Sequence, residues 1–139
     1  MEDLVQWYGE QLDEDEQVAR GCSGMEWREH PKNWVSAPPL NRVAVVVHDG
    51  DRAHIVRHDP ARVLRETAAK RQLLDDYTVT ARIRDEAAER IKAAGDHPDS
   101  KDLETWDRAQ REAAILEGPV KLAATPLADR PGYREEWRP

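Results

Sequence analysis

Five side chains in one short stretch have the types and spacing for metal chemistry: His48, Asp49, Asp51, His54 and His58. Neutral imidazole with carboxylate suits zinc, iron or manganese, and two histidines four apart on a helix can share one ion. In that reading His48, Asp49, His54 and His58 centre a small metal-dependent hydrolase. The same residues have a plainer use. Asp49 and Asp51 serve as turn and cap of a short helix, and the helix dipole favours imidazolium at His58 near its end.

Other reactive types are more dispersed. The block Asp13-Glu14-Asp15-Glu16 offers carboxylates for a cation or for acid/base work, but such blocks are commonly solvated helix faces. Asp75-Asp76 and Glu135-Glu136 are similar, weaker signals. Cys22 has no legible catalytic partner and reads as a small loop residue. No phosphate-cradling glycine loop, nucleophile elbow or paired CxxC motif occurs. Arg57, Arg62, Arg65, Lys70 and Arg71 form either a stripe for an acidic partner or members of i,i+4 ion pairs such as Glu66 with Lys70. Tyr133 and Trp137, four apart, present both rings to one side if they share a helical turn. With Trp106, Arg62 and Arg65 they are the candidate partner contacts.

The elements that position these residues follow from periodicity. Residues 2–20 read as a helix with Leu4, Val5, Tyr8, Leu12 and Ala19 on one face, stopped by Gly21 and Gly24. A mid-helix Gly9 calls for a tertiary contact to hold it. Over 25–50, Trp27, Trp34 and Val43-Ala44-Val45-Val46-Val47 give two or three short antiparallel strands, with turns at His30-Pro31 and Pro38-Pro39. The unbroken apolar run predicts a strand buried on both faces, after which Asp49-Gly50 turns the chain. A short helix follows over about 51–57. Asp59 is then the cap, and Pro60 the first residue, of a long helix over 60–94. Val63, Leu64, Leu74, Tyr77, Ala81, Ala88 and Ile91 form its apolar side, and Tyr77-Thr78-Val79-Thr80 is a site for a kink. A return helix over 99–124 is capped by Asp99 or Ser100 and turns Leu103, Trp106, Ala109, Ala113 and Leu116 inward. Gly118-Pro119 is expected to interrupt it. The tail over 126–139 is expected to dock through Trp137.

Composition bounds the whole. The 139 residues carry 21 Lys+Arg against 28 Asp+Glu, a net −7, which disfavours nucleic acid or anionic lipid as a partner by long-range repulsion. Ten Leu, 11 Val and 4 Ile, with no Phe, make a thin core that gains from a partner or from a second copy. One cysteine fits a reducing compartment, and the start Met1-Glu2-Asp3 lacks the basic and apolar regions of a signal peptide. The expectation is a single soluble cytoplasmic domain.

Three stretches resemble one family. They are Leu12-Asp13-Glu14-Asp15-Glu16, the run Ala53-His54-Ile55-Val56-Arg57-His58-Asp59-Pro60-Ala61-Arg62-Val63-Leu64-Arg65-Glu66, and the ending Ala128-Asp129-Arg130-Pro131-Gly132-Tyr133-Arg134-Glu135-Glu136-Trp137. The family is a group of small uncharacterised proteins of actinobacteria and their bacteriophages, a domain of unknown function. The layout is also similar to that of phage proteins grouped as Ead/Ea22-like. The resemblance implies that origin and brings no activity and no cofactor. The expected fold is α+β, mostly helical, with a small antiparallel sheet and a long helical hairpin. The expected role is that of a non-enzymatic accessory or regulatory protein acting through protein contacts, a homodimer included. The metal-dependent hydrolase is the alternative.

Overall fold

A computed structural model of the protein describes residues 1–38 and 41–139. The described elements run α1 (Glu2–Arg20), β1 (Arg28–His30), β2 (Trp34–Ala37), β3 (Asn41–Val45), α2 (Asp49–Arg57), α3 (Pro60–Ala94) and α4 (Ser100–Ala124). Two short 3-10 turns follow, Thr125–Leu127 and Glu135–Trp137. The architecture is α+β and mostly helical, with one small antiparallel sheet. The described residues gather into two compact units, one of Met1–Gly9 with Lys70–Pro139, the other Glu10–Ala69. Both α1 and α3 contribute to each.

Within Glu10–Ala69, the sheet has the order β1-β2-β3 with antiparallel neighbours. Val35 and Ala37 of the central strand are fully buried, with Trp34 and Ser36 half-buried on the other face. Gly24 lies against this strand, and a Cβ there would sit 2.7 Å from Cβ of Ala37, so the close approach requires glycine. The apolar run is not buried on both faces as its composition predicts. Val45 is 64% and Val47 72% exposed. β3 ends at Val45, so Val47 lies beyond the sheet, and an antiparallel sheet with one solvated face turns alternate side chains such as Val45 outward. Of the Pro38-Pro39 turn, Pro39 lies outside the described residues.

The helix α2 begins at Asp49, so Asp49-Gly50 forms its first turn and not a separate one. Two acids in that turn complement the dipole, and the Asp49 carboxylate is ion-paired with Arg52 three residues on. Arg52 is the buried cation of this unit. Its Nη1 donates to Asn33 Oδ1 at 3.1 Å and to the Val46 carbonyl at 3.0 Å, which ties α2 to the β1–β2 turn and the end of β3. Asn33 takes a left-handed φ of 61° there, a conformation asparagine tolerates better than most residues.

The junction after α2 is set by two residues. Proline excludes its predecessor from the helical region, and Asp59 uses that extended position to cap α3. Its Oδ1 accepts from the Arg62 amide at 2.8 Å. Asp59→Ala is expected to cost about 1 kcal/mol, seen as a lowered urea midpoint with an unchanged slope. An unchanged midpoint would show that the cap contributes nothing.

Both long helices run on where the sequence marks a break. Thr78 lies within a continuous α3, its hydroxyl donating back to the Leu74 carbonyl at 2.8 Å. That bond accommodates a β-branched residue without ending the helix. The helix α4 is capped by the Asp99 side chain, which accepts from the Lys101 amide, and it continues through Pro119 to Ala124. Gly118 and Pro119 are exposed, so the carbonyl left without an amide partner falls on a side open to water. The buried line of α4 is Ala109, Ala113, Val120 and Ala124, while Leu103 and Trp106 are 42% and 38% exposed.

Candidate functional site

The unit of Met1–Gly9 with Lys70–Pro139 holds the richest chemistry, and an aromatic clasp organises it. Trp7, buried on α1, has Trp137 at 5.4 Å and Tyr133 at 5.5 Å between ring centroids. Its indole N–H donates to the Pro131 carbonyl at 2.9 Å. Tyr8 donates its hydroxyl to the Ala123 carbonyl at 3.0 Å, and Arg134 pairs with Asp3 at 2.7 Å. Gly132, at φ +86°, lets the chain pass Trp7 closely. Tyr133 stands outside the turn Glu135–Trp137, so the two tail rings meet edge-on at 5.7 Å and do not share a helical turn. Trp137, a candidate partner contact by sequence, is 6% exposed and packed within its own chain.

Beside this clasp runs a groove of about 580 Å³ between the start of α1, the middle of α3 and Glu117 of α4. Small-molecule sites span roughly 300–1,000 Å³. Val5, Ala81 and Tyr77 supply apolar surface. Four carboxylates, Glu2, Asp85, Glu86 and Glu117, line it against two guanidiniums, Arg82 and Arg84. Arg84 Nε sits 2.7 Å from Asp85, and Glu117 is 2.7 Å from Lys121 Nζ. The Arg84 guanidinium is pushed up from its ordinary value, first by the hydrogen bond to Asp85, with burial opposing.

Burial pushes the Tyr77 hydroxyl up from the ordinary phenol range; Arg84 opposes this and Glu117 adds to it. A raised folded-state value favours the neutral phenol, so this contribution to stability is complete below pH about 10 and is lost as pH rises through the folded value. Absorbance titration at 295 nm is expected to show a phenol ionising above the ordinary range that disappears in Tyr77→Phe. A variant that leaves the titration curve unchanged would refute the assignment.

The other residues singled out by sequence lie elsewhere. His48 is the exposed N-cap of α2 with no side-chain cap bond. The exposed rings of His54 and His58 lie 4.3 Å apart, and His58 Nδ1 is 2.9 Å from the His54 carbonyl. Among the described residues no three His, Cys, Asp or Glu side chains converge as a metal-ligand set. Arg62 bonds Glu66 at 2.6 Å and the Arg57 carbonyl at 3.0 Å, an i,i+4 pair on a helix face; Arg65 is exposed on the same helix. Trp7 and the groove were not legible as site features, although Val5, Tyr77 and Ala81 each were as members of apolar faces.

The sequence matches along its whole length, residues 1–139, a family described as a family of unknown function. The chain belongs to DUF6221. No curated protein and no solved structure matches it. In this DUF6221 chain two joints organise the described structure: Asp59-Pro60 starts α3, and Pro131-Gly132 with Trp137 closes the clasp on Trp7. Among the described residues no helix is long and apolar enough to cross a membrane.

Proposed function

We propose that the protein is a non-enzymatic accessory or regulatory protein of an actinobacterium or its phage, working in the cytoplasm. It acts by receiving a segment of another protein in the groove between α1, α3 and α4. The observation that supports this reading is the groove itself. Val5 and Ala81 give it a partly exposed apolar wall, and all its lining residues belong to one compact unit. The clasp holds the α1 wall in place through Trp7 and Tyr8. The test places a photo-crosslinking residue at Arg82 in the producing cell. A discrete protein adduct is expected, and Ala81→Arg, which fills the groove, is expected to abolish it without lowering thermal stability. An adduct unaffected by Ala81→Arg would count against the groove.

A second reading, self-association, draws on a different surface. Ile115 and Leu122, seven apart on one face of α4, are 72% and 64% exposed with Pro119 between them. Contiguous apolar surface of this kind is characteristic of contact sites. Sedimentation would then show a concentration-dependent dimer that Ile115→Glu removes; a monomer at every concentration contradicts it.

A further inference from the structure

The lining of the groove combines two features that a single side-chain type satisfies. Its exposed apolar wall is Val5 and Ala81, and its charged side chains sum to −2, with the Met1 amino terminus also among the lining. Two pairings within the lining leave that excess in place. Arg84 is neutralised by Asp85 at 2.7 Å, Arg82 stands 3.8 Å from Glu86, and Glu2 and Glu117 are the remaining carboxylates. Glu117 also meets Lys121, a residue that does not line the groove. An acidic or phosphorylated segment entering here would place its charge beside carboxylates in a partly desolvated site, where repulsion is less screened than in water. A purely apolar segment would cover the Glu2 carboxylate and the Glu117–Lys121 pair with nothing to replace their water, at a cost in desolvation. Lysine and arginine avoid both penalties, because their methylene stems cover apolar surface while the charged head stays at the rim.

We infer that the occupant of the groove is a basic amphipathic segment of a partner protein, with Lys or Arg stems along Val5 and Ala81 and their heads at Glu2 and Glu117. This rests on the groove reading proposed above. The overall charge of −7 assists at long range by drawing a basic partner in, with a dependence on ionic strength.

The experiment titrates the full-length protein with three 14-residue amphipathic peptides of one Leu pattern, whose polar face is all Lys, all Gln or all Glu. The methyl resonances of Val5 and Ala81 are followed by NMR. Because an acidic protein attracts basic peptides everywhere, the readout is the location of the shifts and not binding alone. Saturable shifts at both methyls are expected with the Lys peptide, about tenfold tighter than with the Gln peptide, and none with the Glu peptide. The double variant Glu2→Gln with Glu117→Gln is expected to weaken the Lys peptide at least fivefold while leaving the Gln peptide unaffected. Equal or tighter binding of the Glu peptide at those methyls overturns the basic occupant and leaves the groove reading intact. Shifts that avoid Val5 and Ala81 with all three peptides overturn both.

Discussion

Trp137→Ala is expected to destabilise the protein by about 3–5 kcal/mol, the range for removing a large buried aromatic. The ring is 6% exposed and meets Trp7 at 5.4 Å and Tyr133 at 5.7 Å, with Arg134 5.3 Å from its centroid. Chain ends fray unless something ties them down, and here the tie is one indole on another. Losing it also removes the support for the Trp7 hydrogen bond to Pro131 and for the Arg134 pair with Asp3. The measurement is a urea midpoint, with Trp137→Phe as a control that keeps an aromatic contact and most of the stability. Equal midpoints for wild type and Trp137→Ala would mean that the tail is not docked in solution.

Gly132→Ala is expected to cost about 2–4 kcal/mol, for two separable reasons. The backbone sits at φ +86°, where a Cβ is disfavoured by roughly 1–2 kcal/mol. The new carbon would also lie 3.0 Å from Nε1 and 3.1 Å from Cδ1 of Trp7, in a ring already fixed by its hydrogen bond. Gly132→Asn separates the causes, because asparagine tolerates positive φ while keeping the Trp7 contact. Its loss is expected to fall between that of wild type and that of the alanine variant. Full stability in Gly132→Ala would show that Trp7 moves aside freely.

Local signals were enough for much of the fold. Periodicity with Gly21 marks α1 at Glu2–Arg20, and Asp59-Pro60 with Gly95 marks α3 at Pro60–Ala94. These limits are legible because caps, prolines and glycines act on the backbone within one turn. What failed depends on neighbours that local sequence does not name. A five-residue apolar run reads as doubly buried, yet β3 takes only its first three residues, and an antiparallel sheet with one solvated face turns alternate side chains outward. Gly118-Pro119 reads as a break, yet the exposed side of α4 supplies water to the orphaned carbonyl. Asp49-Gly50 reads as a turn, yet Arg52 holds Asp49 inside the first turn of α2.

The groove was less legible still. Val5 and Ala81 are separated by most of α1, the sheet and half of α3, so no spacing rule connects them. Each carries the signature of an ordinary core-facing residue. Only the packing of α1, α3 and α4 within one unit shows that their surfaces converge without filling the space between them. The aromatic clasp is intermediate. Trp137 reads as an anchor from its place in the tail, whereas Trp7, three residues beyond Leu4 on the same helix, declares its role only once Pro131 and Gly132 lie across it.

The central claim, that the groove is where the protein meets its partner, is tested most directly by amide hydrogen exchange on the protein with and without the partner captured through position 82. Slowed exchange is expected in 1–6, in 77–86 and around Glu117, which lines the groove. Protection confined to 115–122, with 77–86 exchanging as in the free protein, would place the contact on the outer face of α4 and contradict the account.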